Sequence, residues 1–278
     1  MYVCFIDYAK AFDRVKHLQL IECLNKIGVD GKDIRIISNL YWQQKAAIRV
    51  EEDLSGYTSI QRGVRQGCIL SPLLFNLYTE IIFRDFKDLP GITIGGRLIN
   101  NLRYADDTAL IADTNQNLQQ LMDAARNGSE NMGLSMNVKK TKTMVVSREE
   151  NCRGANILVN NETLEQITSF TYLGQAITPD ARNEMEIKKR IALAKSRFGK
   201  MEKLFRSKQL STDLRLRMLE CYVFSVLTYG CETWTLSKPL IDRLEACEMW
   251  CLRRMGKISY KERKTNEEVL AIFGTNRK

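Results

Sequence analysis

The sequence predicts an α+β chain, with an antiparallel sheet and its packed helices first and a mostly helical, basic segment after it. Three observations predict this. Up to about residue 177, short apolar runs of strand length alternate with stretches of helical spacing, and several pair around glycine turns. From Arg182 onward only helical spacing remains. The surplus of positive charge also lies in that last part. Residues 1–181 hold 20 Lys+Arg against 21 Asp+Glu, and residues 182–278 hold 22 against 12. The change of composition near Pro179 sets the expected domains at residues 1–180 and 181–278.

Each element has a local reason. Tyr2–Asp7 is short, apolar and partly β-branched, as a buried strand is. Because it begins almost at the first residue, the chain reads as a piece of a longer one. Leu20, Ile21, Leu24 and Ile27 keep helical spacing up to Gly28, a helix stop, and a second helix is expected over Lys32–Trp42. Ala46–Glu51 and Tyr57–Gln61 read as strands joined by a turn at Asp53–Gly56. Pro72 sits near the start of a helix through Phe75, Leu77 and Ile81. Ile92–Ile94 and Leu98–Asn100 flank Gly95-Gly96 as a hairpin, and Leu102–Ala112 suits a second hairpin with Asp106-Asp107 at its turn. A helix over Asn117–Met132 closes at Gly133, and strands follow at Thr143–Val146, Ile157–Val159 and about Phe170–Ile177. Beyond Arg182, Ile187, Ile191, Ala194, Phe198, Met201 and Phe205 form one apolar stripe with lysines and arginines crowding the other faces. Helices from Ser211 to about Leu227 and from Ser237 to about Met255 each have a serine placed to cap them.

With 44% hydrophobic and 27% charged residues, the 278-residue chain has the composition of an ordinary globular protein, long enough for one or two cores. No apolar run approaches the roughly 18 residues of a membrane helix. The start, MYVCFIDYAK, lacks the pattern of a secretory leader. The expected location is intracellular, in nucleus or cytoplasm, with no membrane partner. A basic module beside a neutral one points to a polyanion, nucleic acid before an acidic membrane surface. The eight cysteines include Cys221, Cys231, Cys247 and Cys251 near the C-terminus, but no C-x-x-C pair. One helical turn separates Cys247 from Cys251, as it does many core residues, so the spacing favours packing over zinc.

Three acids stand out. Asp7 ends a buried strand, and Asp106-Asp107 sit at the tip of an apolar hairpin. Asp-Asp at a turn is common turn chemistry. Gathered together, however, carboxylates raise one another's pKa, and a divalent cation relieves them. Mg²⁺ takes few carboxylates plus phosphate oxygens and water, and two ions about 4 Å apart serve a displacement at phosphorus.

Five strings occur in order: FIDYAKAFDRV, RGVRQGCILSPLLFNLYTE, RYADDTALIA, GLSMNVKKTKTMVVS and FTYLGQAI. They resemble motifs A to E of reverse transcriptases, most closely those of LINE-type (non-LTR) retrotransposons, over about residues 1–178. The resemblance implies a right-hand polymerase palm followed by a helical thumb. Its partners would be an RNA template, a DNA primer and deoxynucleoside triphosphates, and its cofactor two Mg²⁺ ions, with Mn²⁺ as a substitute. By that resemblance Asp7 and Asp106 are metal ligands, with the Tyr8 carbonyl beside Asp7 and Asp107 in a secondary role. Phe12 matches the aromatic steric gate that favours deoxynucleotides, although an aromatic there also suits a core. Gln66 and Gly67 match the pair that packs against nucleotide and template, with Ser71-Pro72 opening the helix. Arg62 and Arg65 suit either phosphate or plain surface. Lys140 matches the lysine near the pyrophosphate, with Lys139 and Lys142 close enough to compete for the role. Tyr172, Leu173 and Gly174 match the primer grip. Lys188, Lys189, Arg190, Lys195 and Arg197 then meet the phosphates of the template–primer duplex. His17 is expected on the surface of the first helix.

The fingers motifs and the endonuclease of such proteins find no counterpart here, so the expectation for these 278 residues alone is weak or absent synthesis. Two other readings compete. One is a non-catalytic nucleic-acid-binding remnant. The other is a metal nuclease, which lacks an evident histidine or extra acid as base.

Overall fold

The apolar run at the start of the chain forms strand β1 (Tyr2–Ile6) at the centre of a five-stranded sheet. In the computed structural model, residues 1–147 and 154–274 are described, in two compact units, Met1–Thr168 and Ser169–Lys278.

In the first unit, β1 leads into α1 (Ala11–Arg14) and α2 (His17–Ile27). Gly28, at φ 86°, ends α2 by donating its N–H to the carbonyls of Asn25 and Leu24. Helix α3 (Gly31–Tyr41) starts at Asp30, whose carboxylate accepts the Lys32 N–H at 2.7 Å. The expected long hairpin after it is instead two short ones. Strand β2 (Lys45–Ala46) pairs with β5 (Thr58–Ser59), and β3 (Arg49–Val50) with β4 (Asp53–Leu54). Ala46 faces Thr58 while Arg49 faces Leu54, so the register slips by one residue between the pairs, which makes a bulge. The Ser55 hydroxyl takes the Ile48 N–H there, and the tight turn falls at Glu51-Glu52.

Helix α4 (Leu70–Phe83) carries Pro72 in its first turn, as expected. Two hairpins follow, β6 (Ile92–Ile94) with β7 (Arg97–Ile99), and β8 (Asn101–Tyr104) with β9 (Asp107–Ala112). Helix α5 (Asn115–Asn131) is capped by the Thr114 hydroxyl on the Asn117 N–H. Next come β10 (Lys142–Val145), β11 (Leu158–Val159), β12 (Glu162–Thr163) and β13 (Glu165–Gln166). The sheet order is β13-β10-β1-β9-β8, antiparallel except between β10 and β13. Cys4 and Ile6 of β1 and Leu110 and Ala112 of β9 form one core with Leu118, Leu121 and Met122 of α5 and Leu74, Phe75 and Tyr78 of α4. Val3 and Phe5, on the opposite face of β1, are buried too, which is why the strand reads as a continuous apolar run.

The second unit opens on a hairpin, β14 (Phe170–Tyr172) and β15 (Gln175–Ile177), where one strand was expected. Leu173 and Gly174, both at positive φ (48° and 82°), reverse the chain in two residues. Helices α6 (Glu184–Lys200), α7 (Glu202–Phe205), α8 (Thr212–Leu219), α9 (Ser225–Leu227), α10 (Lys238–Gly256) and α11 (Asn266–Ile272) follow. The helix expected from Ser211 to Leu227 is interrupted by a wide turn at Glu220–Phe224. Ser211 caps α8 through the Leu214 N–H, whereas the Ser237 side chain forms no cap bond to α10. The apolar stripe of α6 is as expected. Ala194 and Phe198 join Phe205, Val223, Cys247, Cys251 and Met255 in a second core, with Phe198 and Phe205 stacked at 4.8 Å. The units divide between Thr168 and Ser169, so the β14–β15 hairpin groups with the helices, not with residues 1–168 as the expected boundary at Pro179 had it.

Candidate active site

Register alone brings the acids together. In the β1–β9 ladder Ile6 faces Thr108. The ladder ends there, and the same register carried one step past the end of β1 leads to Asp7 on one chain and Asp107 on the other. Opposed residues of antiparallel strands carry Cβ atoms roughly 4.5–5.5 Å apart and share a face of the sheet. That face is opposite the one from which Cys4 and Ile6 enter the helical core. Tyr104 faces Asp107 from the other side, and Ala105, at φ 54°, and Asp106 make the turn. Asp7 and Asp106 are half-buried and Asp107 is exposed. The Asp107 carboxyl is raised above its ordinary pKa, first by partial loss of water and then by the negative charges of Asp106 and Asp7. Among the described residues, no three His, Cys, Asp or Glu side chains stand close enough to form a ready-made metal cage. The arrangement is an open one, with Asp7 at the end of β1 and Asp106 and Asp107 at the start of the neighbouring strand. It fits a hard divalent cation that completes its shell with water and phosphate, since Mg²⁺ takes only one or two carboxylates at such sites.

Asp7 is clamped by its backbone. Its N–H donates to the Thr141 hydroxyl at 3.2 Å, and its carbonyl accepts the Asn137 N–H at 2.7 Å. Lys140 lies within the turn so closed, and its side chain is exposed. Lys142 is committed elsewhere, to Glu165 and to the Lys139 carbonyl, each at 2.6 Å. Of the three candidate lysines, this leaves Lys139 and Lys140 facing water. Tyr8 points into the core, where its hydroxyl meets Ser129 at 2.9 Å, so a ligand would reach only its backbone carbonyl.

Phe12 is half-buried and stacks on the fully buried Phe75 at 4.7 Å. Its carbonyl accepts the Val64 N–H, and the Gly63 N–H donates to the Val15 carbonyl. Gly63, at φ 99°, approaches the Asp13 backbone so closely that a Cβ there would lie 3.2 Å from it. The loop that follows ends in Gln66 and Gly67, both exposed, and is closed by the Ser71 hydroxyl on the Arg65 carbonyl at 2.6 Å. Arg65 donates to the Leu40 carbonyl, and Arg62 is exposed. His17 is not the plain surface residue expected. Its Nε2–H donates to the Gly63 carbonyl at 2.8 Å, and its ring leans on Tyr41. The helix thereby braces the loop that carries Gln66.

In the second unit, the Leu173-Gly174 turn is held from beneath. The Tyr229 hydroxyl donates to the Leu173 carbonyl at 3.0 Å and Arg190 to the Gly174 carbonyl at 2.6 Å. Arg190 is only 7% exposed, ion-paired with the buried Glu186, and its guanidinium lies 4.4 Å from the Tyr229 ring centre. Its place is inside the fold, unlike the phosphate-facing surface expected for it. Lys189 is also drawn inward, toward Glu186 and the Gly174 carbonyl. Lys188 is exposed and pairs with Glu184 at 2.8 Å, Lys195 lies 5.4 Å over the Trp250 ring, and Arg197 is exposed. Sequence reasoning did not foresee that Glu186 and Tyr229 hold this turn and Arg190. The available signal was spacing, because 186 and 190 share a helical row with the buried Ala194.

Residues 1–177 match the family model described as reverse transcriptase (RNA-dependent DNA polymerase). A Retrovirus-related Pol polyprotein from type-1 retrotransposable element R2 of Nasonia vitripennis is 31% identical over 146 residues, 52% of this chain and 14% of that protein. The RNA-directed DNA polymerase from mobile element jockey of Drosophila funebris is 23% identical over 262 residues, 91% of this chain and 28% of that protein. The chain thus spans between a seventh and just over a quarter of these two relatives. Among solved structures, telomerase from Candida albicans in complex with a fragment of telomeric RNA matches all of this chain and 50% of its own, with a TM-score of 0.52 at 13% identity. That likeness is one of fold.

Proposed function

The chain belongs to the reverse transcriptase family, and from that premise we propose that it carries the nucleotidyl-transfer centre of an RNA-directed DNA polymerase of a non-LTR retrotransposon. The observation that carries the proposal is the β1–β9 register, which ends with Ile6 facing Thr108 and so brings the strand ends that carry Asp7 and Asp106-Asp107 together. Asp7, Asp106 and Asp107 would hold divalent cations, Mg²⁺ or Mn²⁺, which when bound supply positive charge to the primer 3′-hydroxyl and the leaving pyrophosphate. The residues around them divide the remaining work. Lys140, in the turn clamped to Asp7, offers an exposed cation to the pyrophosphate. Phe12, supported by the stack on Phe75, occupies the space a ribose 2′-hydroxyl needs. Gln66 and Gly67 offer an exposed edge to nucleotide and template, and Leu173-Gly174 grips the primer terminus. Lys188, Lys195 and Arg197 meet phosphates of the template–primer duplex without reading its sequence. RNA template, DNA primer and deoxynucleotides are the partners this assigns.

The remnant reading differs in one respect, that nucleic acid still binds while metal and nucleotide do not. Binding of a labelled deoxynucleoside triphosphate in the presence of Mn²⁺ separates the two. The polymerase reading expects metal-dependent binding that falls at least about tenfold in Asp106→Asn, while duplex binding stays within about twofold. Nucleotide binding that is absent, or equal in the variant, leaves the remnant.

A further inference from the structure

We propose that Arg190 and Tyr229 are positioning residues that set the Leu173-Gly174 turn for the primer 3′ end, and that Glu186 fixes Arg190 for this task. The inference rests on reading Tyr172–Gly174 as the primer grip, and it names the support that this reading lacks.

Four observations carry it. First, the two turn carbonyls are each taken by a side chain, Leu173 by the Tyr229 hydroxyl from the turn after α9 at 3.0 Å and Gly174 by Arg190 of α6 at 2.6 Å. Second, the two supports hold each other. The Arg190 guanidinium lies 4.4 Å from the Tyr229 ring centre and is ion-paired with Glu186, and Glu186 accepts the Ala176 N–H of the hairpin at 2.7 Å. Third, hairpin and support come into close contact at two glycines. A Cβ on Gly174 would lie 3.2 Å from the Tyr229 ring, and one on Gly230 would overlap the Gln175 amide, which donates to the Gly230 carbonyl. Fourth, Leu173 sits at φ 48°, a conformation that a branched apolar residue keeps only where its surroundings impose it. Leu173 itself is 39% exposed and Gly174 is exposed, so the turn is braced on one side and open on the other. A buried ion pair is no efficient way to stabilise a fold, and its best-attested use is to specify one arrangement. Here the arrangement specified is that of two turn residues at the surface.

The test uses the full chain and an RNA–DNA hybrid with two reporters. The primer 3′ nucleotide is 2-aminopurine, whose fluorescence reports engagement of the terminus. A dye at the far end of the template reports overall binding by anisotropy. The proposal expects Arg190→Gln to lose at least fivefold of the terminal signal with overall affinity within about twofold, and Arg190→Lys to restore part of the signal. Tyr229→Phe, which removes one hydroxyl and keeps the ring, lowers the terminal signal by two- to threefold with an unchanged melting temperature. If Arg190→Gln fails to fold, Tyr229→Phe decides alone. Terminal signals equal to that of the unaltered chain overturn the positioning role and leave the primer grip standing. Equal losses of both reporters overturn it too, because they make Arg190 an ordinary contributor to duplex affinity. An unaltered chain that binds duplex with no terminal signal overturns the primer-grip reading itself.

Discussion

At the scale of single residues, burial decides roles that residue type leaves open. Asp7, Asp106 and Asp107 draw attention in the sequence because a carboxylate next to an apolar run has few structural uses. Arg190 was not legible, because an arginine among lysines reads as surface until a buried Glu186 is found one turn before it. Tyr8 shows the same effect from the other side. Beside Asp7 it suggests a ligand contact, yet its phenol is in the core, where burial, outweighing the Ser129 bond and the charge of Arg103, pushes its pKa up to about 12. The unfolded value is about 10. Between those values the folded chain keeps a proton that the unfolded chain releases, so this contribution is complete below pH 10 and is lost as pH rises through 12. Urea midpoints should therefore fall between pH 9 and pH 11, and fall less steeply in Tyr8→Phe. An equally steep fall in the variant would assign the effect to other groups, Tyr78 among them, whose phenol burial also raises to about 12.

At the scale of elements, long periodic segments were legible and short irregular ones were not. The stripe from Ile187 to Phe198 and the run Tyr2–Ile6 are each dictated by what they must bury. Between Lys45 and Ser59 a hairpin was expected, but its division into two short pairs escaped, because the strands are exposed on both faces and the bulge depends on one serine hydroxyl. Phe170–Ile177 escaped because Leu173, a good strand residue by propensity, takes a left-handed turn position. Helix α6 separates its cations into two groups. Arg190 and Lys189 are drawn toward the Gly174 carbonyl, while Lys195 and Arg197 remain exposed. Replacing Lys195 and Arg197 together by alanine should lower the slope of log affinity against log salt by roughly 1–2, uniformly across duplex sequences. An unchanged slope would place the phosphate contacts on another element.

At the scale of the whole molecule, charge and topology tell separate things. Charge changes near Pro179, whereas the compact units divide at Thr168–Ser169, because the β14–β15 hairpin carries little charge and groups, through Glu186 and Arg190, with the helices that follow. Topology could not be read from spacing at all. That β1 lies between β9 and β10, with a hundred residues separating Asp7 from Asp107 in the chain, is set by which apolar faces the helices α4 and α5 cover. The catalytic reading depends on that one strand order. Manganese bound to the full chain, followed by electron paramagnetic resonance, tests it most directly. The account predicts a bound-ion signal that weakens at least about tenfold in Asp7→Asn and again in Asp107→Asn, each with an unchanged melting temperature. A signal that survives both substitutions, or is absent from the unaltered chain, would contradict it.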